Sequence, residues 1–218
     1  MSDGDPIHAP RQARSRQTLA KLLDAAEAVL AEEGLEGATV PAIAGRAGLS
    51  VGVVYRRFPD KDALMRAVFA RFFERRREEN AAKLAPELWA GVPPERAVEL
   101  LIRGIVAGYR QNRRLLGALL RYAEGHPDAG FRRRADEMNA STLEQVARLV
   151  LERRERVGHP APGPAVRFAL LTVGLVLKGV LLADPPPPRI FLDESLSLED
   201  ELTRMVLGYL GLESEEGG

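Results

Sequence analysis

Residues 38–69 read ATVPAIAGRAGLSVGVVYRRFPDKDALMRAVF, and this stretch decides the fold. Thr39 stands directly before an apolar run and is typical of a helix N-cap. Gly48 then breaks the chain, Ser50 is placed to cap a second short helix, and Pro59 stops that helix. A short helix, a tight glycine turn and a second short helix together predict a helix-turn-helix, a motif that places its second helix in the major groove of DNA.

The spacing of apolar residues separates an inner from an outer face of this motif. Ile43 and Ala47 face inward from the first helix, Leu49 fills the corner, and Val54 and Phe58, four residues apart, anchor the second helix. The residues left available to a DNA groove are Val51, Gly52, Val53, Tyr55, Arg56 and Arg57.

Charge is distributed unevenly, although the formal net charge of the 218 residues is zero. From Gly37 to Phe58 the charged residues are Arg46, Arg56 and Arg57, with no acid among them, which favours an anionic partner. The chain has no cysteine, which excludes disulfides and thiolate metal sites and fits a reducing cytosol. The N-terminal residues lack the apolar core of a secretory signal, so a cytoplasmic location is expected.

Helical periodicity continues along the rest of the chain and predicts an all-α protein of about nine helices. The motif belongs to a three-helix N-terminal domain, and a larger helical domain follows. The predicted divisions are a flexible arm (1–14), a helix-turn-helix DNA-binding domain (15–62), a helical domain (63–212), to which a family resemblance given below assigns ligand binding and dimerisation, and an acidic tail (213–218). The arm region contains Arg11, Arg14 and Arg16. These arginines either contact the DNA backbone or minor groove, or they belong to a disordered tail and are simply exposed to water.

The segment from about Thr18 to Phe69 resembles the N-terminal domain of the TetR (tetracycline-repressor-like) family. The residues that carry the resemblance are Thr39-Val40, Ile43-Ala44, Ala47-Gly48-Leu49-Ser50-Val51-Gly52, Tyr55-Arg56-Arg57-Phe58-Pro59-Asp60-Lys61 and Leu64. The resemblance implies phosphate contacts by Thr39, Ser50, Tyr55 and Lys61, and places Val51, Gly52, Val53, Arg56 and Arg57 in or beside the major groove. Val53 and Arg57 depart from the family's commonest residues, so the operator sequence is left open.

For the C-terminal domain the resemblance implies a ligand cavity and a homodimer formed by the last two helices. It further implies repression of a palindromic operator, relieved by a small and largely apolar effector. Runs of arginine such as Arg75–Arg77 have two interpretations. The simpler is that they form solvent-exposed helix faces together with nearby glutamates, and the other is that they bind a phosphorylated ligand such as an acyl-CoA. Candidate ligand contacts, each of which is alternatively a core or surface residue, are Trp89, Arg103, Tyr109, Arg121, Tyr122, Phe131, Met138 and Phe168.

The stretch from Pro164 to Ala183 is apolar on nearly all sides. Its most apolar part, from Phe168 to Ala183, contains Lys178 and falls short of the roughly 20 residues that a membrane span needs, which favours a helix buried at a subunit interface. The last helix, capped by Ser197, offers a second apolar face, and the two helices from each subunit would form a four-helix bundle. An intramolecular core is the alternative.

No catalytic pattern is apparent, so we expect neither an enzyme nor a resident cofactor or metal. Asp128 and nearby acids beside His126 could hold a metal, but a helix cap explains them more simply. Two other classes stay open: a ligand-binding or scaffolding protein of the same fold without operator binding, and an all-α enzyme or membrane-associated protein.

Overall fold

The computed structural model describes residues 8–183 and 196–212 of the chain. Within these residues the protein is all-α, as predicted, and contains no strand. The predicted acidic tail, 213–218, lies outside the described part. The ten α-helices found there are α1 (His8–Gly37), α2 (Val40–Ala47), α3 (Val51–Tyr55), α4 (Lys61–Lys83), α5 (Pro86–Trp89), α6 (Pro94–Gln111), α7 (Arg113–Glu124), α8 (Ala129–Leu151), α9 (Pro162–Leu177) and α10 (Leu198–Leu210). A 3-10 turn follows α8 at Arg154–Arg156, and a π turn extends α9 over Lys178–Leu182.

Two helix boundaries differ from the prediction for identifiable reasons. Helix α1 begins at His8, so the predicted flexible arm is wrong from that residue on. Good helix formers occupy this segment, and Pro10 falls in the first turn, where its missing N–H is not needed. Helix α3 ends at Tyr55 rather than Phe58. Phe58 directly precedes Pro59, and a residue in that position avoids helical backbone angles, which disfavours a helix that runs as far as Phe58.

The ends of the helices follow the predicted signals closely. Thr39 Oγ1 accepts a hydrogen bond from the backbone N–H of Ala42, and Ser197 Oγ does the same for Asp200. Asp128 Oδ1 accepts from the N–H groups of Gly130 and Phe131 at the start of α8, which confirms the predicted cap. Gly34, at φ 73° and ψ −168°, interrupts α1 in a conformation open essentially to glycine alone.

The described residues form two compact units. The first contains the chain up to Phe72 together with Ala118–Gly125, and the second contains Phe73–Gly117 and the chain from His126 onward. Helices α4 and α7 each contribute residues to both units. These contact-defined units do not coincide with the predicted functional division at residue 62, which stays a prediction.

Each unit has its own apolar core. In the first, Leu22 and Ala26 of α1, Ile43 of α2 and Leu64 and Val68 of α4 are all fully buried. The second half of α7 completes this core with buried residues that include Ala118 and Leu119. The core of the second unit is built mainly from α6, α8, α9 and α10, whose apolar faces pack into one cluster.

Candidate nucleic-acid interface

The turn between α2 and α3 has the geometry that a helix-turn-helix requires. Gly48 follows α2 with left-handed angles, φ 65° and ψ 33°, which a residue with a Cβ adopts only at a cost. The N–H of Leu49 donates to the carbonyl of Ala44 at 2.9 Å and closes the end of α2. The chain then enters α3 at Val51, with Ser50 as its extended N-cap. The predicted motif is therefore present, with its second helix shorter than expected.

Helix α3 buries one side and exposes the other. Val54 is 1% exposed and fixes the helix to the core, whereas Val51 and Tyr55 are 37% and 52% exposed. Gly52 and Arg56 are exposed as well. Val53 and Arg57 are half-buried, as are Ala47, Leu49 and Phe58 of the predicted inner set. The exposed side of α3 and the residues directly after it therefore carry both apolar and cationic side chains.

The cations near α3 differ in whether their charge is neutralised. Arg46 donates to the Glu32 carboxylate, with Nη2 2.6 Å from Oε1, and this contact lowers the pKa of Glu32. Glu32 thus neutralises the positive charge of Arg46, although the sequence from Gly37 to Phe58 contains no acid. Arg56 and Arg57 form no ion pair with any residue that the structure describes. Arg57 instead donates from Nη2 to the Ser15 hydroxyl of α1, at 3.1 Å.

The four residues expected at DNA phosphates lie at the ends of helices or on the exposed side of α3. The Thr39 hydroxyl caps α2, and Lys61 Nζ lies 3.5 Å from the carbonyl oxygen of Leu35. Ser50 occupies the N-cap position of α3, but its hydroxyl makes no capping hydrogen bond. Tyr55 is exposed on the surface of the same helix.

The backbone at Gly52 is open to an approaching molecule. A Cβ built on this residue would meet only Ser50 Oγ, at 4.0 Å. The protein itself therefore gives no steric reason for glycine at this position.

The polar candidates for ligand contact are engaged by protein groups or exposed. Arg103 donates to Glu99 Oε1 at 3.1 Å and to Asp200 Oδ1 at 2.8 Å, on the surface of the second unit. Tyr122 lies in the first unit and donates to Asp62 Oδ1 at 2.6 Å. Arg121 is exposed.

The apolar candidates are dispersed rather than gathered in one place. Trp89 and Tyr109 pack against the core of the second unit, and burial raises the pKa of the Tyr109 hydroxyl. Phe131 is buried with its ring centroid 4.6 Å from that of His126. Met138 is half-buried and Phe168 is 57% exposed.

Two small pockets open into the core of the second unit. They hold about 290 and 260 Å³, space open to solvent included, and they share Leu101 and Val150 in their walls. The walls of both pockets are almost entirely apolar, and Arg153 is the one charged residue that the structure describes in the wall of the first. None of the eight candidate ligand residues lines either pocket.

The surface of α9 carries apolar side chains that no residue described by the structure covers. Phe168, Leu171 and Leu175 are 57%, 52% and 60% exposed, at the spacing of one helical stripe. Tyr209 of α10 continues this surface, with its ring centroid 5.7 Å from that of Phe168. The segment Pro162–Leu182 is long and apolar enough to cross a membrane by length and composition alone, a criterion that core helices of soluble proteins also meet.

Comparison with known proteins identifies the motif. Residues 22–68 match the family model of bacterial regulatory proteins, tetR family. The HTH-type transcriptional repressor KstR of Mycobacterium tuberculosis is 28% identical over 135 residues, or 62% of this chain. The match spans 56% of the length of that repressor.

Solved structures share the fold over nearly their whole length. A TetR-family transcriptional regulator from Mesorhizobium loti superposes with a TM-score of 0.64 at 21% identity, covering 91% of this chain and 95% of the other. FadR from Bacillus subtilis, solved in complex with stearoyl-CoA, gives a TM-score of 0.62 at 17% identity, covering 89% and 99%. The matched motif, the repressor relative and the shared fold lead to one conclusion: residues 22–68 are a segment of the tetR-family type, in a chain whose fold resembles that of solved TetR-family regulators.

Proposed function

We propose that this protein is a sequence-specific repressor that a small, largely apolar ligand releases from a palindromic operator in the cytoplasm. The observation that carries the proposal is the exposed surface of α3, where Arg56 and Arg57 lie beside bare backbone at Gly52 and have no carboxylate partner among the described residues. Unneutralised guanidinium groups bind phosphates and guanine edges, and uncovered backbone permits close approach.

The residues of the motif divide into two roles. Thr39, Ser50, Tyr55 and Lys61 contact phosphates and fix the register of the protein on DNA. The free hydroxyl of Ser50 and the amide groups at the start of α3 suit an anionic oxygen. The residues in or beside the major groove, which read the sequence, are Val51, Gly52, Val53, Arg56 and Arg57.

A homodimer formed by α9 and α10 explains the uncovered apolar stripe of α9. Phe168, Leu171 and Leu175, with Met205 and Tyr209 of α10, offer a self-complementary surface that a second copy would bury. The alternative of an intramolecular core accounts only for the buried side of α9. Two-fold symmetry would present two α3 helices to successive major grooves about 34–36 Å apart, which requires a palindromic site.

The effector binds in the helical second unit and lowers operator affinity because it prefers a conformer less suited to DNA. The apolar pockets lined by Leu101 and Val150, and the apolar surroundings of Trp89 and Tyr109, favour a ligand with an apolar body. The FadR neighbour, whose structure contains stearoyl-CoA, supports an amphipathic ligand as the first class to test.

Selection of DNA fragments by the purified protein at physiological salt tests the proposal. Specific sites typically bind at about 10⁻⁸–10⁻¹¹ M, and a shared palindrome is the expected result. Arg56→Ala combined with Arg57→Ala should abolish selection. Arg113→Ala combined with Arg114→Ala, which removes two consecutive exposed arginines at the start of α7, should leave it unchanged. Weak, salt-sensitive binding without a shared sequence would favour the alternative, a ligand-binding or scaffolding protein of the same fold.

A further inference from the structure

The contact between Ser15 and Arg57 links α1 to the residues that directly follow α3. The two residues are 42 positions apart, and Arg57 Nη2 donates to Ser15 Oγ at 3.1 Å. Arg57 stands between α3 and Pro59, and its side chain is half-buried, whereas Ser15 is exposed in α1. One guanidinium N–H is used by the serine, so four remain for another partner.

The partner of Arg57 differs in kind from the partners of other arginines in the first unit. Arg46, Arg66 and Arg71 donate to the carboxylates of Glu32, Asp62 and Asp24, respectively. A carboxylate orients a guanidinium group and also neutralises it. The serine hydroxyl orients Arg57 and leaves its full positive charge, which is the combination that an anionic or guanine-bearing partner requires.

Holding Arg57 in place has an energetic consequence for binding. A free arginine side chain loses rotamer freedom when it is immobilised at an interface, and that loss opposes association. A side chain already held by a neighbouring hydroxyl has lost part of this freedom before DNA arrives. The arrangement thus favours DNA binding without adding a contact to DNA.

We propose that Ser15 is a positioning residue, which holds the guanidinium group of Arg57 in the orientation that contacts the operator. This role rests on the proposed function. It extends the specificity-determining surface beyond the helix-turn-helix to α1. The arginine that Ser15 holds, Arg57, is one of the two residues that depart from the commonest residues of the TetR family. Substitution of Ser15 should therefore change base preference through Arg57.

A double-mutant cycle on the selected operator tests this role. Ser15→Ala should weaken operator binding by about three- to tenfold, the range that ordering one long side chain implies. It should also relax the base preference at the position that Arg57 contacts. Ser15→Thr, which keeps the hydroxyl, should restore both. In an Arg57→Ala background, Ser15→Ala should have no further effect on affinity, because the group it positions is absent.

The controls separate positioning from folding. Thr18→Ala removes another hydroxyl of α1, one that donates to the carbonyl of Arg14, and should leave operator affinity and base preference unchanged. Alanine favours helix slightly more than serine, so Ser15→Ala should not lower the thermal unfolding midpoint.

Two results would overturn the role. If the unaltered protein bound an operator and the Ser15→Ala effect persisted in the Arg57→Ala background, Ser15 would act on DNA directly, and the proposed function would stand without this inference. If the unaltered protein selected no DNA site, the proposed function and the role of Ser15 would both fail.

Discussion

The Tyr122 hydroxyl of α7 donates a hydrogen bond to the Asp62 carboxylate in the first turn of α4, with 2.6 Å between the two oxygens. The other carboxylate oxygen of Asp62 accepts from Arg66 Nε at 2.7 Å. Since α4 and α7 are helices that contribute to both compact units, this contact joins them within the first unit.

Tyr122→Phe should therefore lower the free energy of unfolding by about 1.5–3 kcal/mol, since one hydrogen bond to a charged acceptor is lost while Asp62 keeps Arg66. Urea denaturation measures the change. Tyr55→Phe, on the exposed side of α3, is the matched control for stability and should have little effect. An unchanged midpoint for Tyr122→Phe would show that the hydrogen bond contributes nothing to stability.

The same tyrosine predicts a dependence of stability on high pH. Burial, and then the hydrogen bond to Asp62, raise the pKa of Tyr122 above its ordinary value of 10.0. A group with a raised pKa in the folded state contributes stability that is complete below its unfolded pKa and is lost as the pH rises beyond it. The difference between wild type and Tyr122→Phe should stay constant from pH 7 to about 9 and shrink above pH 10 in urea titrations. A difference that grew with alkaline pH would contradict this assignment.

Gly52→Ala should weaken operator binding without lowering stability. The added methyl group meets open space in the protein, and alanine favours helix over glycine, so any loss of affinity reports on DNA. Gly45→Ala in α2, where a Cβ also meets nothing within 4 Å, serves as the control. Equal operator affinities for wild type and Gly52→Ala, measured by fluorescence anisotropy, would remove Gly52 from the proposed interface.

Gly48→Ala should destabilise the first unit by about 1–2 kcal/mol, because the left-handed conformation at φ 65° places the new Cβ against the backbone. Thermal unfolding followed by circular dichroism measures the loss. The contrast with Gly45→Ala, which we expect to be neutral or stabilising, isolates the backbone conformation from the mere addition of a methyl group.

Leu171→Glu combined with Leu175→Glu should convert the proposed dimer to a folded monomer, since four carboxylates would then face one another across the symmetric surface. Leu88→Glu alters an equally exposed leucine of α5, at 64% exposure, and should leave the dimer intact. Sedimentation equilibrium distinguishes the species. Persistence of a dimer in the double variant would place the interface elsewhere.

The sequence predicted features that depend on neighbouring residues. The caps at Thr39, Asp128 and Ser197 and the left-handed turn at Gly48 were predictable, because each depends on residues within one helical turn. Likewise, the helix over Lys61–Lys83 follows from its own periodicity.

Contacts between distant residues left no such signal. Nothing in the spacing connects Ser15 with Arg57, Glu32 with Arg46, or Tyr122 with Asp62, because tertiary packing alone brings these side chains together. Arg46 was therefore counted among the free cations, although Glu32 neutralises it. The candidate ligand residues, chosen by type, fall in both units and do not identify a cavity.

The short α3 has a consequence for how the proposed DNA-binding surface can change in evolution. A helix of five residues has no stability of its own, and Val54 is the residue through which α3 itself is buried in the core. Mutations at its exposed positions therefore carry little folding penalty, so new operator preferences are accessible by single steps. Arg57, which follows α3, differs from these positions. Because Ser15 holds it, a change of recognition there calls for a second substitution in α1, and this part of the specificity should change more slowly than the rest.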